Sequence, residues 1–335
     1  MERPVNVALI GMGWWGKKIF SIIEKLQNMI HISLVVDPNL DAAENFLSEK
    51  KIKFSPNYAD ALNDPTIEAV ILVTPHGLHE DQIAQAVAAG KHVFCEKPIA
   101  LGKAGAEKAV RLCQDANLIL ATGHERRWEP PILDLLTKAD LGELGRIHQI
   151  EANFSHDKFL SLDRTNWRLS SGQAPAAGMT ATGIHLLDLS VRLLGPAKAA
   201  YCICESLSSD LPQGDTVGAY IKFKNGGTSY ISASLANPFV SRFAVFGSKG
   251  WIEVRDKAHV EAPAGWTVLS SYTNGPIITT DVPPSEPVKD NLISFIRATR
   301  GLEIYPITAA HIINNIALLE AICTSARSSN IETVK

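Results

Sequence analysis

Apolar positions in the first third of the chain fall in short runs separated by helical periods. Val5 to Ile10 is one such run and ends in glycines; Ile32 to Val36, Ala69 to Val73, His92 to Cys95 and Leu118 to Ala121 are others. Between them, Trp14 to Gln27 sets Ile19, Ile22, Ile23 and Leu26 on one helical face. An Ala-rich stretch from about His79 to Ala89 ends at Gly90, and Lys103 to Ala116 repeats the helical pattern. Short apolar strands alternating with helices predict a parallel sheet covered on both faces.

The pattern changes after Gly123. Arg146 to Asn153 reads as a longer alternating strand, and strand-like segments crowd Ala199 to Val254, among them Val217–Phe223, Thr228–Ser234 and Arg242–Phe246. Asn225-Gly226-Gly227 is a hairpin turn signal. Strands without intervening helices predict an open, mostly antiparallel sheet. One helix, about Thr182 to Leu194, interrupts them, and Val288 to Thr299 and Thr308 to Ser325 return to helix after the Pro-rich connector at 283–287. The fold class expected is α/β: an N-terminal doubly wound parallel sheet over residues 1–123, then an α+β domain over 124–335 with an open sheet. The chain length of 335 residues suits two domains at roughly 150 residues each.

Composition narrows the function. The chain is 46% hydrophobic and 20% charged, which suits folded cores. A net charge of −3 without a basic block argues against nucleic-acid binding. No apolar run approaches the roughly 18 residues of a membrane span, and no signal peptide precedes the first strand, so a cytoplasmic protein without a membrane partner is expected. The five cysteines are too scattered for a disulfide framework. Cys202-Ile203-Cys204 has no second ligand pair at zinc spacing, so buried reduced thiols and no metal are expected.

Gly11-Met12-Gly13-Trp14-Trp15-Gly16 follows a predicted strand and opens a predicted helix. The first glycine permits a tight turn, the second lets backbone approach a pyrophosphate, and the third lets helix pack on strand. Asp37 ends the next strand, about 20 residues beyond the last glycine, where a carboxylate accepts both ribose hydroxyls and repels a 2′-phosphate. That predicts NAD over NADP. A glycine turn with an acid also suits S-adenosylmethionine; the third glycine and the lysine that follows favour the dinucleotide. Glu96-Lys97-Pro98 lies at the carboxyl end of a strand, the edge where open α/β sheets bind ligands. Lys97 reads either as a general acid–base group or as a turn lysine paired with Glu96. Pro98 restricts its backbone and admits a cis bond. Thr74, Pro75, His76 and His79 follow another strand end and border the same edge; His79 reads equally as a helix start.

Taken in order, the glycine turn, Thr74-Pro75-His76-Gly77-Leu78-His79, Glu96-Lys97-Pro98 and Gly183-Ile184-His185-Leu186-Leu187-Asp188 resemble the Gfo/Idh/MocA family of NAD(P)-dependent oxidoreductases, which includes glucose–fructose oxidoreductase and inositol dehydrogenases. The resemblance spans essentially the whole chain. It implies a Rossmann domain, hydride transfer to or from a hydroxyl or carbonyl carbon of a sugar, cyclic polyol or related small molecule, and a homodimer or homotetramer built through the C-terminal sheet. It implies that Lys97 is catalytic with His185 assisting. Gly11, Gly13, Trp14, Trp15, Gly16, Asp37, Thr74, Pro75, His79, Glu96 and Lys97 are then expected at the cofactor. Polyol-oxidising relatives carry an Asp four residues before the histidine; this chain has Ala181 there, with Thr180 and Thr182 as neighbouring hydroxyls. Asp188 sits at i+3 from His185, where it could orient the imidazole. Arg127, in the segment joining the two domains, reads as an anion contact or as a strut to a carboxylate. The comparable Trp-Arg of relatives lies near the active site, which makes Trp167 and Arg168 substrate candidates. A reading from another class also stands: a dinucleotide-binding redox sensor without turnover.

Overall fold

The computed structural model describes residues 3–39 and 52–335. Two compact units emerge: Met1–Glu125 with Val288–Ala309, and Arg126–Pro287 with Ala310–Lys335. The chain passes between the units at three places, after Glu125, Pro287 and Ala309.

The first unit holds a six-stranded sheet of β1 (Val5–Ile10), β2 (Ile30–Val36), β3 (Lys53–Ser55), β4 (Ala69–Leu72), β5 (His92–Cys95) and β6 (Leu120–Thr122). Every pairing is parallel and the order is β3-β2-β1-β4-β5-β6. The order reverses between β1 and β4, which opens a crevice at their carboxyl ends. All four side chains of β4 are buried, as expected of a strand covered on both faces. Fully buried Val70, Ile71 and Leu72 contribute about 1.5–3 kcal/mol each, enough to fix so short a strand. Helices α1 (Trp14–Ile23), α2 (Tyr58–Asn63), α3 (His79–Ala88) and α4 (Lys103–Asp115) connect the strands. The predicted helix to Gln27 ends its α-turns at Ile23 and closes as a 3-10 turn over Glu24–Leu26.

The second unit opens with α5 (Pro130–Asp140) and β7 (Ile147–Ser155). A π turn over Met179–Gly183 leads into α6 (Ile184–Leu194). Then come β8 (Ala197–Glu205), β9 (Thr216–Phe223), β10 (Thr228–Ser234), β11 (Val240–Gly247), β12 (Gly250–Asp256), β13 (Trp266–Tyr272) and β14 (Ile278–Val282). With β15 (Glu332–Thr333) they make a nine-stranded sheet, β14-β13-β12-β11-β7-β10-β9-β8-β15, whose pairings are antiparallel except β7 with β10. One face carries α6, which packs on β7 and β10. The other is open, and Tyr201, Tyr220 and Tyr230 stand in register across it. β13 and β14 escaped the sequence reading because their side chains do not alternate between buried and exposed.

α7 (Pro287–Thr299) returns to the first unit, where Phe295 meets Phe94 edge to face at 5.7 Å. α8 (Ala309–Ser328) is long and apolar enough by composition to cross a membrane. Its buried side chains, including Ile312, Ile316, Leu318, Leu319 and Ile322, make it a core helix. Ser325 Oγ accepts the Cys202 N–H at 2.8 Å and ties α8 to β8.

Candidate active site

At the end of β1 the chain turns through Gly11, whose φ is +100° and whose β carbon would lie 2.6 Å from the Val73 carbonyl oxygen. A β carbon on Gly16 would lie 2.0 Å from the Gly11 oxygen, so α1 packs on the turn at a distance only glycine allows. Gly13 caps α1 without a side-chain cap, and nothing lies within 4 Å of the position of its missing β carbon. Backbone can therefore be approached closely at Gly13, at the positive end of the α1 dipole. Asp37 follows β2 and is half-buried. Its Oδ2 accepts the Met12 N–H at 2.6 Å and its Oδ1 the Asn39 N–H at 2.8 Å. A carboxylate pinned beside a bare glycine cradle fits the adenosine and pyrophosphate of a dinucleotide.

Lys97 follows β5, and the Lys97–Pro98 peptide is cis. Its neighbour Glu96 is buried. Glu96 Oε1 accepts the Trp15 indole N–H at 2.8 Å and Oε2 accepts the Lys97 N–H at 3.2 Å. A β carbon on Gly123 would lie 2.3 Å from Glu96 Oε2, so the glycine at the end of β6 makes room for that carboxylate. The glycine turn and the lysine loop are thus joined by one hydrogen-bonded acid. Tyr305 and Asn291 hold the preceding residue: the Tyr305 hydroxyl donates to the Thr122 carbonyl at 3.0 Å, as does the Asn291 amide. Trp14 is more than half exposed beside Trp15, their rings 5.3 Å apart.

His79 is fully buried. Its Nδ1 lies 2.7 Å from the Pro98 carbonyl oxygen and its Nε2 2.9 Å from that of Thr74. His79 thus sits inside, its ring between the carbonyls of the two loops. Burial lowers its pKa, against the two carbonyl contacts. Thr74 Oγ1 lies 2.5 Å from Gln82 Oε1, which binds the loop to α3.

In the second unit His185 is buried at the first turn of α6. The hydroxyls expected to stand in for the missing carboxylate turn elsewhere. Thr182 Oγ1 lies 2.8 Å from the Phe154 carbonyl and 3.0 Å from that of Gly178, and Thr180 Oγ1 lies 2.5 Å from that of Pro175. Ala181, between them, is half-exposed. Ala176 and Ala177 enter this turn with φ of 58° and 48°, a left-handed pair that costs roughly 1–2 kcal/mol per residue. The Ala177 N–H bonded to the Gln213 carbonyl at 2.8 Å helps to hold it.

Arg127 is a strut. Its Nε and Nη2 donate to Asp188 Oδ2 and Oδ1 at 2.5 and 2.9 Å, with both side chains buried. The Asp188 carboxylate therefore serves an arginine, a partner sequence spacing did not suggest. The Arg168 guanidinium stacks 4.3 Å over Trp167, and its backbone N–H is accepted by Asn166. Sequence reasoning also missed His156 and His259. The ring of His259 lies 5.6 Å from that of His156 and 5.9 Å from that of Phe154, whose ring is 6.4 Å from His185. The position of His156 just past an alternating strand is a signal that was available; nothing local marks His259.

Residues 5–124 match the family described as an oxidoreductase family with an NAD-binding Rossmann fold, GFO_IDH_MocA, and residues 135–253 match the GFO/IDH/MocA C-terminal domain. The chain is 27% identical over 288 residues to scyllo-inositol 2-dehydrogenase (NAD(+)) of Bacillus subtilis, covering 81% of this chain and 78% of that one. Among solved structures, a putative NADPH-dependent oxidoreductase of Desulfitobacterium hafniense superposes with a TM-score of 0.90 at 21% identity, covering 100% of this chain and 99% of that one. Levoglucosan dehydrogenase in complex with NADH and levoglucosan superposes with a TM-score of 0.85 at 18% identity, covering 99% and 100%. These likenesses under 25% identity carry the fold alone.

Proposed function

Because the chain belongs to the Gfo/Idh/MocA oxidoreductase family, we propose that it uses NAD to oxidise a hydroxyl-bearing carbon of a sugar or cyclic polyol, or runs the reverse reduction, with Lys97 as its acid–base residue. The observation that carries this is the joint made in the first unit by Glu96, which accepts from Trp15 of the glycine turn and from the Lys97 backbone. When bound, the nicotinamide supplies the hydride acceptor or donor. Asp37 holds the ribose hydroxyls and repels a 2′-phosphate, which favours NAD. Lys97 takes the hydroxyl proton in oxidation and returns it in reduction. His185 is the second proton group, held by the turn that Thr182 anchors on Phe154. Arg127 fixes Asp188, and through it the middle of α6. Trp167 and Arg168 are substrate contacts. The inositol dehydrogenase among the relatives supports the substrate class.

The proposed setting is cytoplasmic, supported by five free cysteines. Assembly is through the open face of the nine-stranded sheet, supported by the exposed tyrosines in register there. The sensor reading has one observation in its favour: no hydroxyl beside Ala181 takes the place of a carboxylate. One experiment separates the two. Lys97→Met is assayed with NAD against inositols, aldopyranoses and ketoses by absorbance of the reduced cofactor. Turnover that falls at least a thousandfold while NAD binding stays within a fewfold supports the enzyme; tight NAD binding with no wild-type turnover on the panel supports the sensor.

A further inference from the structure

Trp15 stands in the first turn of α1 and is half-buried. The one polar atom of its side chain is the indole nitrogen. That N–H donates to Glu96 Oε1 at 2.8 Å, on a residue 81 positions away along the chain. A shielded indole N–H asks for an acceptor, and a neutral one would do. Here the acceptor is a carboxylate that is only 8% exposed. A carboxylate taken out of water is destabilising unless donors hold its oxygens. Its second oxygen, Oε2, accepts the main-chain N–H of Lys97 at 3.2 Å. One charged group thus takes a donor from the glycine turn on one side and from the lysine loop on the other.

The main chain flanking that amide is fixed by other contacts. The Glu96 N–H bonds to the Leu72 carbonyl at 2.9 Å. The Pro98 carbonyl lies 2.7 Å from His79 Nδ1. The Gly123 N–H bonds to the Cys95 carbonyl at 3.0 Å, which sets the bare Cα of Gly123 beside the carboxylate; a β carbon there would lie 2.3 Å from Oε2. The Glu96 side chain is therefore shaped from three directions, and it orients the peptide from which the Lys97 side chain departs. A small turn of that peptide is carried along a four-carbon stem to the amine. Misplacing a reacting group by about 1 Å slows a reaction by up to about a hundredfold.

We propose that Trp15 is a positioning residue for Lys97: its indole N–H fixes the Glu96 carboxylate, and the carboxylate fixes the Lys97 peptide. The turn that receives the dinucleotide and the group that handles the proton are then set against each other by one side chain. The assignment rests on the reading of Lys97 as the acid–base residue. It gives the Trp15 side chain a different task from its main chain, which belongs to the turn.

The test uses the full chain and three variants. Trp15→Phe keeps an aromatic ring and removes the N–H. Glu96→Gln accepts from one of the two N–H groups and turns an amide NH₂ toward the other. Gly123→Ala crowds the same carboxylate. With the best substrate of a panel of inositols and aldopyranoses, single-turnover reduction of NAD slows about tenfold in Trp15→Phe, while the dissociation constant for NAD stays within about threefold. Glu96→Gln slows it at least as much. A second reading needs no cofactor. In protein labelled with ¹⁵N at tryptophan and lysine, the Lys97 amide signal, assigned by its absence from Lys97→Met, moves in Trp15→Phe. The Trp15 indole signal, assigned by its absence from Trp15→Phe, moves in Glu96→Gln and in Gly123→Ala. A wild-type single-turnover rate in folded Trp15→Phe overturns the proposal, as does an unmoved Lys97 amide or a loss of NAD affinity equal to the loss of rate. Should Trp15→Phe fail to fold, Glu96→Gln decides by its rate and by the indole signal. Failure of the underlying reading looks different: no turnover by the wild type, or full turnover by Lys97→Met, with the amide and indole signals still responding to each other's partners.

Discussion

Both oxygens of the Asp37 carboxylate already accept a main-chain N–H, Oδ2 from Met12 at 2.6 Å and Oδ1 from Asn39 at 2.8 Å, and each oxygen keeps a further lone pair. The carboxylate shapes the glycine turn, and in the proposed function it also holds the ribose hydroxyls. Asp37→Ala should weaken NAD about tenfold, the worth of one charge-assisted hydrogen bond, and raise the relative affinity for NADP; dissociation constants for both cofactors check this, and an unchanged preference removes Asp37 from the ribose. Asp37, Lys97 and the glycine turn were legible in the sequence because each sits at a strand end that the local apolar pattern already marks. The partners of Arg127 and His259 were not, because they lie 61 and 101 residues away along the chain. Thr182 shows the same limit: a hydroxyl's aim is set by the carbonyl of Phe154, 28 residues earlier.

Between β8 and β9 the chain is gathered on Asp215. Its carboxylate accepts N–H groups of Leu207, Ser208 and Ser209 and the hydroxyls of Ser209 and Thr216, at 2.7–3.2 Å. Burial alone would raise its pKa; these donors outweigh burial and hold it at about 2. An unfolded aspartate ionises near 3.9. The loop's stabilisation is therefore whole above pH 4 and is lost as pH falls toward 2. Asp215→Asn should cost about 2 kcal/mol at pH 7, and the gap in Tm between variant and wild type should close toward pH 2; a constant gap would contradict the assignment. Strands such as β1, β5 and β10 were read correctly because burial made them apolar or alternating. The exposed edge strand β14 offers no such pattern and owes its form to pairing with β13. The π turn before α6 was read as ordinary helix, since its cause lies in what Gly178, Thr180 and Thr182 touch.

At the level of the whole molecule, the open sheet face and the threefold passage of the chain between units matter most. Tyr220, 53% exposed, lies opposite Tyr201 on one side and Tyr230 on the other. The proposed assembly through this face predicts that Tyr220→Glu, which places a charge in the middle of that row, yields monomers with the cofactor half intact; light scattering reads the mass, and a wild-type mass equal to that of the variant contradicts the proposal. Runs of strands without intervening helices made the open sheet readable from sequence, while its use as an interface came only from the family resemblance. The return of residues 288–309 to the first unit was not, because α7 reads simply as another amphipathic helix.

That return segment supplies Phe295 beneath Phe94 and the Tyr305 and Asn291 hydrogen bonds to Thr122. The N-terminal 125 residues are therefore not a portable cassette. A chimera that grafts them onto a foreign C-terminal half inherits β5 and β6 stripped of their underpinning, one residue upstream of the glycine that shelters Glu96. Recombination between relatives respects this architecture only when both pieces, the head and the distant twenty-odd residues, travel together.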